Sequence, residues 1–141
     1  MTAWLLKTEP EEFSFDDLVE RGVEPWDGIS NTFALHNLSR AQVGEPCVIY
    51  HTGKERRAVG LGSVVHTAYP DPKQNDPKLV VIDVKAGARL EQPVTLSALK
   101  ANPAFADSLL VRQSRLSVVP LTDEQYATII ELSGAQPGAG K

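Results

Sequence analysis

A single cysteine, Cys47, leaves this 141-residue chain without an internal disulfide and suits a reducing compartment. No apolar run approaches the roughly 20 residues that a helix needs to cross a bilayer. Met1–Pro10 shows no basic stretch followed by an apolar one and a small-residue cleavage site, so a mature cytoplasmic protein is expected. Histidine is scarce as well. His36, His51 and His66 lie 15 residues apart each time and fall in different expected elements. With one cysteine this is no metal-ligand spacing, and neither a metal nor any cofactor is expected. Gly-x-Ser-x-Gly, the P-loop and Gly-x-Gly-x-x-Gly are all missing, which removes the common signatures of hydrolase and nucleotide chemistry. Cys47 is followed by Val48 and Ile49, and reads as a buried inert thiol rather than a nucleophile.

Positive charge is in short supply: the net charge is −4. That argues against a sequence-blind nucleic-acid binder. The distribution is uneven, however. Residues 1–28 hold eight acids and two bases, while the remaining 113 residues hold twelve bases and ten acids. A local basic face can form there, touching few phosphates.

What is present is a run of short elements. Ala3–Lys7 reads as a buried strand. Ser14 with an acid three residues on is a helix start, and the helix ends near Gly22. Trp26-Asp27-Gly28 is a turn in which Gly28 takes positive φ. Asn31 caps a second helix through Arg40. Cys47–Tyr50 and Ala58–His66 form a hairpin. Thr67–Lys78, with Pro70, Pro72 and Pro77, is expected to be irregular. Leu79–Lys85 is a strand and Arg89–Pro93 a weaker one. Thr95 opens a short helix, Arg115–Val119 is the last strand, and Thr122 starts a capped helix with Tyr126, Ile129 and Ile130 on one face. The arrangement suggests a closed or nearly closed β-barrel with small flanking helices in one domain over residues 1–133. A disordered tail over residues 134–141 follows.

Several of these strings match a family in order and spacing. Trp4-Leu-Leu-Lys-Thr-Glu-Pro10, Phe13-Ser-Phe-Asp-Asp-Leu18 and Trp26-Asp-Gly28 with Asn31 resemble the opening of an EVE domain. The resemblance continues through Val43-Gly44-Glu45, Tyr50-His51-Thr52, Ala68-Tyr-Pro-Asp-Pro72, Val80-Val-Ile-Asp-Val84 and Leu110-Val-Arg-Gln-Ser-Arg-Leu-Ser-Val118. It covers about residues 3–132. It implies an α+β fold, a PUA-like mixed β-barrel of five to six strands flanked by short helices, related to PUA and YTH domains. It also implies binding of DNA or RNA that carries a modified base, held in an aromatic-walled pocket, by a monomer without metal or membrane. The chain departs from the pattern after Gly28. Ser30 and Leu35 stand where the family carries arginines, and Thr32-Phe33 stands where it carries Tyr-Gln.

On this reading the candidate site residues are Lys7, Trp26, Ser30, Asn31, Tyr50, His51, Tyr69, Arg112, Gln113, Ser114, Arg115 and Ser117. Trp26 either walls the pocket or plugs one end of the barrel; stacking a base on an aromatic is worth about 1–3 kcal/mol. Asn31 reads a base edge, caps a helix, or does both. Tyr50 and His51 close a strand where side chains leave the core for the rim. Tyr69 covers the pocket or anchors its proline-rich loop. Arg112 and Arg115 pair with phosphates or stack on bases, Gln113 and Ser114 read edges, and strand alternation sends Arg115 and Ser117 to one side. The alternative for that string is a solvated strand with an ion pair to Asp107 or Glu124. Lys7 is a phosphate contact, and Lys54, Arg56 and Arg57 make a basic hairpin tip.

Two other functions compete with a non-catalytic reader. One is an enzyme acting on a nucleoside, which needs His51 paired with an acid or lysine within reach in the pocket. The other is a protein-interaction module, which needs a filled-in pocket and a large exposed apolar patch.

Overall fold

The computed structural model describes residues 2–134. The tail expected from Gly134 onward lies, after Gly134 itself, outside the described residues. Six strands form one mixed sheet: β1 (Ala3–Thr8), β2 (Val23–Pro25), β3 (Pro46–His51), β4 (Arg57–Pro70), β5 (Val80–Thr95) and β6 (Val118–Leu121). Five α-helices accompany them: α1 (Phe15–Arg21), α2 (Thr32–Arg40), α3 (Leu96–Lys100), α4 (Leu109–Arg112) and α5 (Asp123–Leu132). The strand order is β2-β5-β4-β3-β1-β6.

β1 and β3 run parallel at the centre, with Trp4 opposite Cys47 and Lys7 opposite Tyr50. Both are continuously buried along most of their length, as strands covered on two faces should be. β4 and β5 form a long hairpin that bends. Ala58 faces Val94, but Gly60, two residues on, faces Arg89, so β5 carries extra residues there. Such bulges raise the twist and turn the sheet over the core. Gly60 has a packing reason: a Cβ on it would fall inside the Phe15 ring, so the missing side chain seats α1 on the sheet.

Hydrogen bonding does not close the barrel. β2 pairs with β5 alone and β6 with β1 alone, which leaves a seam between the two edges. α2 packs across the interior against β4, β5 and β6. Its Asn37 Nδ2 donates to the outward carbonyl of Val118 at 2.9 Å and so covers part of the β6 edge.

The capped helices follow the sequence. Ser14 and Asp17 form a reciprocal capping box, Asn31 Oδ1 accepts from the Ala34 amide, and Thr122 forms a second box with Gln125. Each such cap is worth about 1 kcal/mol. Four expectations need correction. The two strands expected at Leu79–Lys85 and Arg89–Pro93 are one, because Ala86–Ala88 stays extended against the bulged β4. β4 runs on through Thr67 to Pro70, whose missing N–H is harmless at a strand end. β2 was not anticipated. Finally, Arg115–Ser117 precede the last strand rather than belonging to it, since the chain leaves α4 through a turn in which the Leu116 amide donates to Gln113 O.

Candidate functional site

The seam opens into a cleft of about 530 Å³. One side is the end of β1, with Lys7 and Thr8, and Ser117 just before β6. The other side is β2 and the turn after it, with Glu24, Pro25, Trp26, Asp27, Gly28 and Ile29. Phe13, Arg21 and Lys73 complete the rim. The cleft therefore occupies the place where the barrel fails to close.

Trp26 lines it but is largely covered. The residue is 5% exposed, far too little to offer an open stacking surface. Its backbone N–H donates to Ile82 O at 2.7 Å, which fixes the turn to β5. Gly28, at φ +78, lets the chain reverse immediately afterwards. Phe13 stands edge-on to Trp26, with ring centroids 6.0 Å apart and planes at 81°. Phe13 is the more exposed of the two aromatics that line the cleft. The Arg21 guanidinium lies over the Phe13 ring, 5.5 Å from its centroid, and is held by Glu24 at 3.1 Å. The Trp26 indole N–H finds no acceptor among the described residues. It is not sealed either, because the one sealed side-chain polar atom without a partner there is Asn37 Oδ1. A donor without a partner in the fold, and not fully sealed from solvent, is left for a ligand.

The rim is not a positive surface. Lys7, Arg21 and Lys73 face Glu9, Glu12, Glu24 and Asp27. Arg21 is paired with Glu24, and Lys73 with Asp27 at 2.6 Å; that hydrogen-bonded carboxylate pushes the lysine pKa up. Lys7 differs. Burial lowers its ammonium pKa, its Nζ donates to Ser114 O at 2.9 Å, and it sits 5.7 Å from the centre of the Tyr50 ring. It makes no ion pair among the described residues.

Of the twelve residues singled out in the sequence, the cleft takes in Lys7, Trp26 and Ser117. Ser30 lines a smaller opening next door, and Asn31 caps α2 beside it. Ser114 is linked to the cleft through the Lys7 hydrogen bond. Tyr50 and His51 do not leave the core for the rim; both are buried. The reason is local. The Phe15 amide donates to His51 Nε2 at 3.0 Å, so the proton sits on Nδ1 and is donated to Glu55 Oε1 at 2.9 Å. The acid–base pair an enzyme would need is thus present, but the remaining nitrogen is occupied by backbone, and His51 and the cleft do not meet. Tyr69 donates to Asp83, which with burial raises its pKa to about 12, and its ring packs edge-on against His66. Tyr69 thus sits near the end of β4, tied to Asp83 of the neighbouring β5, and does not line the cleft. Arg112 ends α4 and pairs with Asp107 at 2.7 Å. Gln113 and Arg115 are exposed, and Arg115 has no acidic partner among the described residues. Because residues 115–117 lie outside the strand, in and just after the turn that follows α4, strand alternation does not order their side chains. Sequence reasoning missed Phe13, Arg21 and Lys73. Phe13 was hidden inside a helix-start string, Arg21 ends the helix that follows it, and Lys73 arrives from a distant segment.

Comparison with known proteins agrees across nearly the whole chain. The family model described as EVE domain matches residues 2–132. Thymocyte nuclear protein 1 of Homo sapiens is 28% identical, over 95% of this chain and 75% of its own length. Among solved structures, a protein from Agrobacterium tumefaciens superposes with a TM-score of 0.92 at 32% identity, covering 96% of this chain and 94% of that one. Human THYN1 protein in complex with 5-methylcytosine containing DNA superposes with a TM-score of 0.87 at 29% identity, covering 97% of this chain and 100% of that one.

Proposed function

The chain belongs to the EVE domain family, and from that premise we propose that it is a non-catalytic domain that binds DNA or RNA and holds a modified base in the cleft beside Trp26. The observation that carries this reading is the pairing of a partly exposed aromatic, Phe13, with an unpaired indole donor, Trp26, in an open cleft at the seam. A relative of the same fold has been solved with DNA containing a modified cytosine. The base stacks on Phe13 or on the Arg21 guanidinium above it, a contact worth about 1–3 kcal/mol. Trp26 Nε1–H donates to an acceptor on the base edge. Ser117, Ser30 and the side-chain amide of Asn31 that capping leaves free supply further polar contacts. Lys7 and Arg115 meet phosphates at the rim. Four rim carboxylates keep sequence-blind affinity low, so occupancy depends on the base itself. The domain acts as a monomer in the cytoplasm.

An oligonucleotide with one 5-methylcytosine, its unmodified counterpart and the matching RNAs form the test set. Saturable binding is expected, with at least one modified strand held about tenfold tighter than its unmodified partner and that advantage lost in Phe13→Leu and Trp26→Phe. Absence of saturable binding, or binding indifferent to both substitutions, overturns the proposal.

A further inference from the structure

The main cleft ends on Gly28 and Ile29, and a second opening of about 240 Å³ begins on the same two residues. Its other walls are Ser30, the loop residues Asp71 and Gln74, and Leu79 and Val80. The loop is held in place from within. The Asp71 amide donates to Leu79 O at 2.9 Å, the Lys73 amide to Asp71 Oδ1 at 2.9 Å, and the Gln74 amide to Asp71 O at 3.0 Å. Pro70, Pro72 and Pro77 reduce its backbone freedom further. Lys73 then ties the loop to Asp27, the residue after Trp26. The second opening is therefore a fixed neighbour of the first.

Asp71 is the informative residue. It is 5% exposed, and Oδ1 is engaged by the Lys73 amide. Oδ2 accepts nothing from any described residue, yet it is not among the sealed orphan atoms. A carboxylate oxygen so placed is met only by solvent and is open to a donor on a ligand. The same charge repels phosphate. Ile29, Leu79 and Val80 offer apolar surface to a base face.

We propose that this opening receives the base adjacent to the one in the main cleft, with Asp71 Oδ2 accepting from its exocyclic amine. The domain then prefers cytosine or adenine over thymine or uracil at that position, because the edge offered to Asp71 carries an amine donor in cytosine and adenine and the carbonyl acceptor O4 in thymine and uracil. The inference rests on the nucleic-acid reading above.

Four dinucleotides test it by amide NMR titration: 5-methyl-dC followed by dC or dT, and dC or dT followed by 5-methyl-dC. Shifts are expected at Leu79 and Val80, with the dC neighbour binding about tenfold tighter than dT in one of the two orders. Asp71→Asn keeps the Oδ1 acceptor for the Lys73 amide and turns Oδ2 into a donor, so the preference should reverse toward dT. If that variant loosens the loop, Val80→Phe fills the opening. It should erase the neighbour preference while 5-methyl-2′-deoxycytidine alone binds as before. Shifts confined to Phe13 and Trp26 overturn this inference and leave the base-reading proposal standing. Equal affinity for dC and dT, or a preference that survives Asp71→Asn, also overturns it. No shift in either opening with any probe overturns both.

Discussion

The two tryptophans are the same side chain put to opposite uses. Trp4 lies in the closed half of the barrel, 1% exposed, and its indole N–H donates to Glu45 Oε1 at 2.9 Å. Glu45 is itself buried and accepts from the Gln42 amide at 2.7 Å and the Thr2 amide at 3.0 Å. Every strong donor there has an acceptor, so the region is complete as folded. Trp26 is nearly as buried, but its indole donor has no described partner and its cleft stays open. The closed half is satisfied by the chain; the seam is left for something else to satisfy.

The largest expected contrast is in chemical access. Cys47 lies opposite Trp4, and burial together with the Glu45 charge pushes its thiol up to about 12. A cysteine placed in the cleft by Ser117→Cys keeps an ordinary thiol. A thiol reagent at neutral pH should label residue 117 at least about a thousandfold faster than Cys47, from the thiolate fraction alone. Cys47 should react only as fast as the protein unfolds. Comparable rates at the two positions would mean the closed half opens locally, and the contrast would break.

Stability sharpens the comparison next. Trp4→Phe and Trp26→Phe remove the same atoms. Trp4→Phe also strips a donor from a buried carboxylate, whereas Trp26→Phe breaks no hydrogen bond of the fold. Urea unfolding should place Trp4→Phe about 1.5–3 kcal/mol below Trp26→Phe, the usual worth of a hydrogen bond to a charged group. Equal losses would show that Trp26 serves the fold as Trp4 does and is not set aside for a ligand.

The closed half was also the more legible in sequence, for the same physical reason. Ser14, Asn31 and Thr122 act on amides two or three residues away, so their helices could be read locally. Alternating and continuous apolar runs likewise announce β1, β3 and much of β4 and β5. The seam depends on contacts distant in sequence. β2 is three residues long and exists because Val23–Pro25 find Lys85–Asp83 some sixty residues on. Lys73 reaches Asp27 across a comparable gap. Arg115–Ser117 read as the start of the last strand because the string alternates, yet they precede it, in and after the turn that follows α4. The EVE resemblance led to Trp26, which lines the cleft, but not to Phe13 beside it, which no local pattern marked.

The smallest expected effect concerns the junction of the two halves, where His51 on β3 bonds the first residue of α1 and Glu55. The hydrogen bond from His51 is the main cause holding the Glu55 carboxyl below its ordinary value of 4.5; burial opposes it, and Arg57 adds to the lowering. A carboxylate with a lowered folded-state pKa stabilises fully above its unfolded value and loses that contribution as pH falls through the folded one. Glu55 is partly solvated, so the pair should behave as a surface one, worth about 0.2–1 kcal/mol. The stability gap between the wild-type protein and Glu55→Gln should accordingly be constant above about pH 5 and shrink toward zero by about pH 2. Because His51 Nε2 is engaged by backbone, the substitution should leave base binding in the cleft unchanged. A loss of binding would mean that His51 and Glu55 act on the cleft, and that the division between a closed half and an open seam is drawn in the wrong place.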